Sequence, residues 1–373
     1  MYEGQTIGVV VPAYNEEENI ENVIQTLPSF VDRVYAIDDA STDQTWKNIN
    51  RCVTQTEEKK VERSIADGGV ERTSRVVPVK HEENQGAGGA VKTGYALALS
   101  DEMDVTVVMD GDGQMDPDDL ERIIEPVVTG EVTYAKGNRL FFRQDREQMS
   151  KWRLFGNSIL TMLTRISSGY WQLADPQNGY TAISLNGLRT VPFDRLYDSY
   201  GFLNHLLISL NVNDEPIADV AHRAVYGDET SGIRYSTFIP GLSVLLFRGF
   251  IDRIVQSYLV RRFHPLVACY GVGTFAVTVG ALGGLYAIRS PAVDGFLGSM
   301  TSFIVVLIGG LLVILGLWFD VKENEGLVQQ YGHPGMRTVP DDGDRSPTGQ
   351  QSVEAVHDGG RIERTTVTTG DES

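Results

Sequence analysis

The sequence has few cysteines and few basic residues, and both shortages limit what the protein can be. Its 373 residues include only two cysteines, Cys52 and Cys269, which provide neither a framework of disulfide bonds nor a zinc site. Lysine and arginine together number 32 against 50 aspartates and glutamates, so the formal net charge is −18. Nucleic-acid binding needs a basic face, and we therefore expect no nucleic-acid partner.

Two familiar sequence signals are also missing. The chain has no Gly-Lys-Ser/Thr phosphate loop, and Gly86-x-Gly88 does not complete the dinucleotide-binding fingerprint because position 91 is valine. The first apolar run covers only residues 7–11, which is too short for the apolar region of a signal peptide. We therefore interpret this run as a β-strand and expect no signal peptide.

Four apolar segments, at residues 7–11, 34–37, 75–79 and 105–109, alternate with helical stretches. This alternation predicts βαβ units, and hence an α/β fold with a mostly parallel sheet. Such sheets bind ligands beyond the carboxyl ends of their strands. Polar residues suited to a ligand follow each predicted strand: Tyr14 and Glu16, Asp38 and Asp39, residues 85–89, and Asp110 with Asp112.

Asp110 and Asp112 form the most informative of these groups. Two carboxylates on either side of Gly111, at the end of a buried strand, repel each other unless a positive charge lies between them. Carboxylate oxygens suit Mg²⁺ or Mn²⁺, which bind one or two carboxylates together with substrate phosphates. The pair therefore predicts a site for a divalent cation and a diphosphate. A solvated turn is the alternative, since aspartate and glycine are common turn residues.

Six blocks, in order along residues 5–260, make the chain resemble glycosyltransferase family 2. The blocks are residues 11–16, 37–43, 84–90, 109–114, 137–139 and 175–180. Within the family, the chain is most similar to polyprenyl-phosphate sugar synthases of the dolichol-phosphate mannose synthase type. The resemblance implies a GT-A catalytic domain, which is a Rossmann-like fold with a mixed, mostly parallel sheet. It also implies an inverting, metal-dependent hexosyltransferase that uses a nucleotide sugar of the GDP-mannose or UDP-glucose type. Dolichyl or polyprenyl phosphate would accept the hexose, and the product would feed protein or surface glycosylation.

The same resemblance assigns roles to individual residues. It implies that the nucleotide base and ribose are held by Pro12, Tyr14, Glu16, Ile37 and Asp39. The ribose and diphosphate would approach Asp110, Gly111 and Asp112, and the Mg²⁺ or Mn²⁺ ion would bind Asp112 and Gln114, with Asp110 as the second carboxylate. Arg139 would neutralise phosphate charge, while Arg153 and Arg223 would face the acceptor phosphate.

Simpler roles remain open for several of these residues. Tyr14 could pack on the sheet, Asp38 or Asp39 could cap a helix, and the glycines of residues 86–89 could only permit close packing. Asp175 has two candidate roles. It would be a general base if the acceptor were the hydroxyl of a lipid-linked sugar. If the acceptor is a phosphate, which is already anionic, Asp175 would instead orient the sugar or an arginine.

Two long segments without charged residues, 265–288 and 295–319, occur in a chain that is 22% charged. Each is long enough to cross about 30 Å of hydrocarbon, and glycines in both favour a closely packed hairpin. Helices buried in a soluble core are the alternative. Four arginines precede the first segment: Arg248, Arg253, Arg261 and Arg262. By the positive-inside rule they place the catalytic domain and the tail in the cytoplasm.

The sequence therefore predicts a multi-pass protein of the cell membrane with four regions. Residues 1–235 form the catalytic domain, residues 236–263 interfacial amphipathic helices, and residues 264–320 a transmembrane hairpin. Residues 321–373 have little apolar clustering and form an acidic, disordered cytoplasmic tail. Residues 152–166 are a further amphipathic helix that would lie either at the membrane or on the core. The acid excess suits a high-salt cytoplasm, and our hypothesis is a halophilic archaeal source.

Overall fold

A computed structural model describes residues 1–67, 74–141, 151–199, 201–222, 235–289 and 295–332. Its central sheet has eight strands within these ranges. They are β1 (Ile7–Ala13), β2 (Arg33–Asp38), β3 (Val76–Lys80), β4 (Val105–Val108), β5 (Tyr134–Asn138), β6 (Thr181–Ser184), β7 (Ile217–Ala221) and β8 (Val328–Tyr331). The spatial order is β3-β2-β1-β4-β6-β5-β7-β8.

In the part of the sheet that the structure describes, β6 alone runs against its neighbours, β4 and β5. All other neighbouring strands pair in parallel. The predicted α/β class, with a mixed and mostly parallel sheet, is therefore confirmed. The reversed strand matters for function because its beginning, rather than its end, lies at the edge where the parallel strands end.

Helices cover both faces of this sheet. The α-helices of the described residues are α1 (Ile20–Thr26), α2 (Thr45–Asp67), α3 (Gly86–Ser100), α4 (Leu120–Val128), α5 (Lys151–Ser168), α6 (Leu185–Thr190), α7 (Phe202–Val212), α8 (Tyr235–Arg253), α9 (Pro265–Arg289) and α10 (Gly295–Glu323). A π-helix, Ile254–Arg261, continues α8. Side chains of β1 alternate between two core clusters, with Val9 and Val11 on one face and Val10 on the other. Burial on both faces explains the uninterrupted apolar run of this strand.

The two apolar segments form a pair of packed helices, α9 and α10. A side chain at Gly273 would lie 2.9 Å from the carbonyl oxygen of Gly309, and one at Gly280 would lie 2.9 Å from that of Ser302. Glycine therefore allows the two backbones to approach closely. Both helices are long and apolar enough to cross a membrane. Their outer apolar side chains are exposed, so the alternative of helices buried in a core does not describe them.

The prediction of a disordered tail that begins at residue 321 is wrong for residues 321–332. Helix α10 continues to Glu323, and β8 then pairs in parallel with β7, with Val328 opposite Ile217 and Gln330 opposite Asp219. The segment's polar composition concealed this strand, because an edge strand is stabilised largely by backbone hydrogen bonds to its neighbour. Residues 333–373 of the predicted tail lie outside the described residues.

Candidate active site

Polar residues from five strands meet at one edge of the sheet. The parallel strands β1, β2, β4 and β5 all end there, and antiparallel β6 begins there. This arrangement brings the predicted residues that follow β1, β2, β4 and β5 to the same edge as residues 175–180, which precede β6. We call this side of the sheet the carboxyl edge. It lies where ligands bind in open α/β sheets.

The turn after β4 is held tightly against β1. The backbone N–H of Gly111 donates to the carbonyl oxygen of Pro12 at 3.0 Å, and a side chain at Gly111 would lie only 3.1 Å from the Cβ of Ala13. The backbone N–H of Gln114 donates to Oδ1 of Asp112 at 3.0 Å. These contacts fix the path of the backbone through both carboxylates, and they give Pro12 a structural role through its carbonyl group.

Asp110 experiences strong negative charge. Burial, followed by the charges of Asp112 and Glu16, raises its pKa to about 7, although Arg139 and Lys136 act in the opposite direction. A divalent cation would relieve this repulsion, and the carboxylates with the amide of Gln114 offer oxygen ligands that Mg²⁺ and Mn²⁺ prefer. Among the described residues, no cluster of three or more aspartate, glutamate, histidine or cysteine side chains could hold a metal. A cation here would therefore take further ligands from a diphosphate or water.

Arg139 and Asp175 form an ion pair beside the turn of residues 110–114, which we call the carboxylate turn. Nε and Nη2 of Arg139 donate to Oδ2 and Oδ1 of Asp175 at 2.9 and 3.3 Å, and the backbone N–H of Arg139 donates to Oδ2 at 3.3 Å. Burial alone would raise the pKa of Asp175, but the charge and hydrogen bonds of Arg139, with the charge of Lys136, lower it. Asp175 is therefore an anion at neutral pH and a weak base.

The carboxylate of Asp39 binds the backbone at the start of α3. Its Oδ1 accepts the backbone N–H of Gln85 at 2.8 Å and lies 2.7 Å from Nδ1 of His81, while Oδ2 accepts the backbone N–H of Gly86 at 2.8 Å. Asp39 is therefore not a helix N-cap residue, which in α3 is Gln85, but it binds the backbone at the start of that helix from the neighbouring strand end. Its buried neighbour Asp38 accepts the backbone N–H of Ser41 at 3.0 Å. Both carboxylates are fixed at the end of β2 by protein donors.

The residues predicted to hold a nucleotide base differ in exposure: Tyr14 lies at the surface, whereas Ile37 is buried in the core. Tyr14 is 47% exposed, so it does not pack on the sheet, and Glu16 lies close by with its backbone N–H bonded to Thr45 Oγ1 at 2.8 Å. Ile37 is 0% exposed and belongs to the hydrophobic core. The prediction that Ile37 holds the base is therefore not supported, because its side chain points into the interior. An apolar strand residue next to two aspartates gave no signal of which face it would occupy.

The glycines of residues 86–89 serve packing, as the simpler interpretation proposed. A side chain at Gly88 would lie 2.7 Å from the carbonyl oxygen of Tyr197, and one at Gly86 would lie 2.8 Å from that of Asp198. The backbone N–H of Gly89 donates to the Asp198 carbonyl at 3.0 Å. Residues 197–199 therefore dock on the first turn of α3, where a larger residue would not fit.

Sequence reasoning missed a set of buried polar side chains beneath this edge. Nζ of Lys136 donates to the carbonyl oxygen of Asn178, and Oδ2 of Asp219 accepts from the backbone N–H of Ala174 at 2.9 Å and from Nδ2 of Asn138 at 3.2 Å. Burial lowers the pKa of Lys136 to about 7. Burial also raises the pKa of Asp219 to about 6. The available signal was the single charged residue within the apolar run of β7, Asp219.

Residues 8–191 match a family model described as glycosyl transferase family 2. This region is a domain of that family. The family resemblance carried by the six sequence blocks is thereby confirmed, and the matched residues include β1 to β6 and both the Asp110–Asp112 turn and the Arg139–Asp175 pair. Strands β7 and β8 and the apolar helices lie beyond the matched family 2 region.

Several individual proteins are similar in sequence to this chain. A UDP-N-acetylglucosamine–dolichyl-phosphate N-acetylglucosaminyltransferase from Methanococcus voltae is 29% identical over 221 residues, which cover 59% of this chain and 86% of the relative. An undecaprenyl-phosphate mannosyltransferase from Micrococcus luteus is 27% identical over 202 residues, covering 52% of this chain and 72% of the relative.

A solved structure is also similar to this chain. It is the Mycobacterium tuberculosis glucosyl-3-phosphoglycerate synthase with uridine diphosphate, at 25% identity and a TM-score of 0.44, covering 67% of this chain and 80% of that chain. The likeness is partial, and the fold assignment rests on the strand order and the family match.

Two predicted residues of the family 2 enzyme cannot be placed at the site. Arg153 belongs to α5, but its side chain is outside the described part of the chain. Arg223 comes two residues after the end of β7 and lies outside the described residues. Their assignment to the acceptor phosphate stays a prediction.

Proposed function

We propose that this glycosyltransferase moves a sugar from a nucleotide sugar to dolichyl or polyprenyl phosphate at a membrane surface. The proposal is carried by one observation: the Asp110–Asp112 carboxylate pair lies at the same edge as Arg139, whose guanidinium donates to both carboxylate oxygens of Asp175. The names of the relatives support the lipid phosphate, since one is a dolichyl-phosphate and another an undecaprenyl-phosphate sugar transferase.

The carboxylate turn would bind the donor. Asp110, Asp112 and Gln114 would hold Mg²⁺ or Mn²⁺, which when bound supplies Lewis-acid stabilisation to the departing diphosphate. Arg139 adds positive charge that is already oriented before the reaction begins. Tyr14, exposed at the end of β1, would contact the nucleotide base, with Glu16 and Asp39 nearby. Candidate donors are GDP-mannose, UDP-glucose and, from the Methanococcus relative, UDP-N-acetylglucosamine.

The state of Asp175 separates two kinds of acceptor. A sugar hydroxyl loses a proton as it attacks, and it needs a base whose pKa is close to the working pH. The pKa of Asp175 is lowered, and its carboxylate is held in two places by Arg139. A phosphate attacks as an anion and needs only correct positioning. We therefore propose an inverting attack by a lipid phosphate on the sugar C1, with Asp175 orienting Arg139.

The helices that precede the hairpin would bring the site to the lipid headgroups. Exposed apolar side chains occur along α8 and its π-helical continuation, including Phe247 at 67% and Val260 at 74% exposure. Phe263, just before α9, is 89% exposed, and Met162 on α5 is 54% exposed. Helices of this kind lie in the interfacial layer of a bilayer. We propose that α9 and α10 span the cell membrane and that residues 1–235 act on its cytoplasmic face.

Membranes that contain the protein would test this function. They would be incubated with polyprenyl phosphate, Mn²⁺ or Mg²⁺, and one labelled donor at a time from GDP-mannose, UDP-glucose and UDP-N-acetylglucosamine. We expect one donor to yield a chloroform-soluble product that mild acid hydrolyses, and we expect EDTA to abolish its formation. A product that formed only when a lipid-linked sugar was supplied would contradict the phosphate acceptor, as would no lipid product from any donor.

The variant Asp175→Asn tests the role of this residue in turnover. The amide retains an acceptor for Arg139, so we expect kcat to fall about tenfold, which corresponds to weakening one charge-assisted hydrogen bond. Loss of a general base would instead lower kcat by roughly 10²–10⁴-fold. Asp194→Asn, which changes the same charge on a short surface helix (Phe193–Arg195), is the matched control.

A further inference from the structure

Three side chains lie side by side across three neighbouring parallel strands. Lys136 of β5 is in register with Asp219 of β7, and Asp219 is in register with Gln330 of β8. Residues in register on parallel strands project from the same face of a sheet. We call Lys136, Asp219 and Gln330 the in-register row. Its third member comes from the strand that follows the two apolar helices.

Each member of the row bonds to a different point of residues 172–178, which we call the Asp175 segment. Gln330 Nε2 donates to the carbonyl oxygen of Gln172 at 3.1 Å. Asp219 Oδ2 accepts the backbone N–H of Ala174 at 2.9 Å. Lys136 Nζ donates to the carbonyl oxygen of Asn178. The row therefore holds the Asp175 segment through its backbone, at both ends and immediately before Asp175.

Asp219 also reaches the last residue of β5, which directly precedes the arginine of the ion pair. Its Oδ2 accepts from Nδ2 of Asn138, the residue that precedes Arg139, at 3.2 Å, and Nε2 of Gln330 approaches the same oxygen at 3.4 Å. One buried carboxylate thus bonds to both residues that precede the Arg139–Asp175 pair. The bond to the backbone of Ala174 and the bond to the side chain of Asn138 together restrict the relative position of the two charged groups.

We propose that Asp219 is a positioning residue for the Arg139–Asp175 pair, and that Gln330 of β8 secures Asp219 in this task. This inference rests on the proposed function for its kinetic consequence, but its structural consequence is independent of any substrate. It also gives the segment beyond the apolar helices a part in the active site, because β8 closes the row. A misplacement of about 1 Å at a reacting centre can reduce a rate by about 10²-fold.

Hydrogen exchange of the full-length protein in detergent tests the structural part. The variants are Asp219→Asn, Gln330→Ala and, as the matched control, Gln329→Ala, whose side chain instead bonds to the carbonyl oxygen of Glu131. We expect backbone amides of the Asp175 segment to exchange several-fold faster in the first two variants and unchanged in the control. Unchanged exchange in Asp219→Asn and Gln330→Ala, or equal acceleration in all three, would overturn the proposal without reference to activity.

Kinetics of the same variants test the catalytic part. Because Arg139 acts on charge that grows as the diphosphate leaves, we expect Asp219→Asn to lower kcat about tenfold and to leave the donor KM within about twofold. The loss should shrink in an Asp175→Asn background, since residues that act through one another are not additive. Full additivity, or a change confined to KM, would contradict positioning. If wild type forms no lipid product, the proposed function fails, and hydrogen exchange still decides the positioning role.

Discussion

At the scale of single residues, the carboxylate turn is the feature on which donor binding depends. Asp110 is half-buried near Asp112, and the repulsion between them is part of what raises the pKa of Asp110. A cation that binds both carboxylates removes this repulsion, so nucleotide and metal should bind together. Neither ligand alone would then bind as well as the pair.

The variant Asp112→Asn removes one charge from this turn. We expect the affinity for UDP or GDP in the presence of Mn²⁺ to fall at least 10- to 100-fold. Removing a residue that only hydrogen-bonds to a metal ligand already causes a loss of this size, so removing a ligand should cost at least as much. Isothermal calorimetry with and without Mn²⁺ measures this loss. Asp118→Asn, an exposed aspartate on the neighbouring short helix (Pro117–Asp119), is the matched control. Equal affinities for the two variants would contradict a metal role for Asp112.

The raised pKa of Asp219 predicts how the stability of the fold depends on pH. Burial raises its pKa to about 6 in the folded protein, whereas an unfolded aspartate has a pKa of about 3.9. A raised pKa means that protonated Asp219 favours the fold, so its contribution is complete below about pH 4 and is lost as pH rises through 6. The ionised neighbour Asp175 strengthens this effect, while the charge of Lys136 opposes it.

The melting temperatures of wild type and Asp219→Asn at pH 5 and pH 7.5 test this sign. The asparagine does not titrate, so we expect the melting temperature of wild type, relative to the variant, to be higher at pH 5 than at pH 7.5. A difference that stays constant with pH, or grows as pH rises, would show that Asp219 is ionised throughout this range. The comparison needs no substrate.

The sequence pointed to Asp110 and Asp112 because they follow the end of an apolar strand, whereas the roles of Arg139 and Asp175 came from the resemblance to glycosyltransferase family 2. The end of a strand can be predicted from the sequence where an apolar run gives way to polar residues. Asp219 was not predicted, since it lies inside a strand and its partners, Ala174 and Gln330, are far from it in the chain. Contacts between distant segments leave no local pattern, and only the charge within an apolar run indicated a buried partner.

At the scale of elements, four of the parallel strands could be predicted and two other strands could not. β1 to β4 are apolar because helices cover both faces of the sheet there. β6 covers only Thr181–Ser184, and β8 only Val328–Tyr331. Both strands contain too few apolar residues to show the periodicity of a strand. Their pairing is decided by tertiary contacts. The position of β6 nevertheless determines that Asp175 faces Arg139.

The docking of residues 197–199 on α3 predicts a contrast between two glycines in helices. A side chain at Gly88 would lie 2.7 Å from the backbone oxygen of Tyr197, whereas nothing lies within 4 Å of one at Gly156 in α5. We expect Gly88→Ala to lower the free energy of unfolding, because a backbone neighbour must move. Gly156→Ala should raise it by up to about 1 kcal/mol through helix propensity. Thermal or denaturant unfolding measures both, and a stabilised Gly88→Ala protein would contradict the docking.

At the scale of the whole molecule, a buried ion pair joins the apolar hairpin to the catalytic domain. Nη1 and Nη2 of Arg253, at the end of α8, donate to Oδ1 and Oδ2 of Asp320 in α10, both at 2.8 Å. The same guanidinium donates to the carbonyl oxygens of Ser167 and Ile166 at 2.9 and 3.0 Å. Arg253 is therefore buried within the protein and does not face lipid headgroups. It connects α5, α8 and α10 at one point.

This junction predicts a large difference between two charge changes near the end of α10. Asp320→Asn leaves Arg253 buried without a counter-charge, which costs about 3–5 kcal/mol, and replacing both partners with apolar residues (Arg253→Met with Asp320→Leu) costs less than the single change. Lys322→Gln, which breaks the exposed pair with Glu325, should cost at most about 1 kcal/mol. Thermal unfolding of the full chain in detergent ranks the three. If Asp320→Asn were no worse than Lys322→Gln, the ion pair would not secure the hairpin. Asp320→Asn could destabilise the protein because it leaves Arg253 as an unpaired buried charge or because it removes the contact itself. A double variant that is more stable than Asp320→Asn would show that the unpaired charge is the cause.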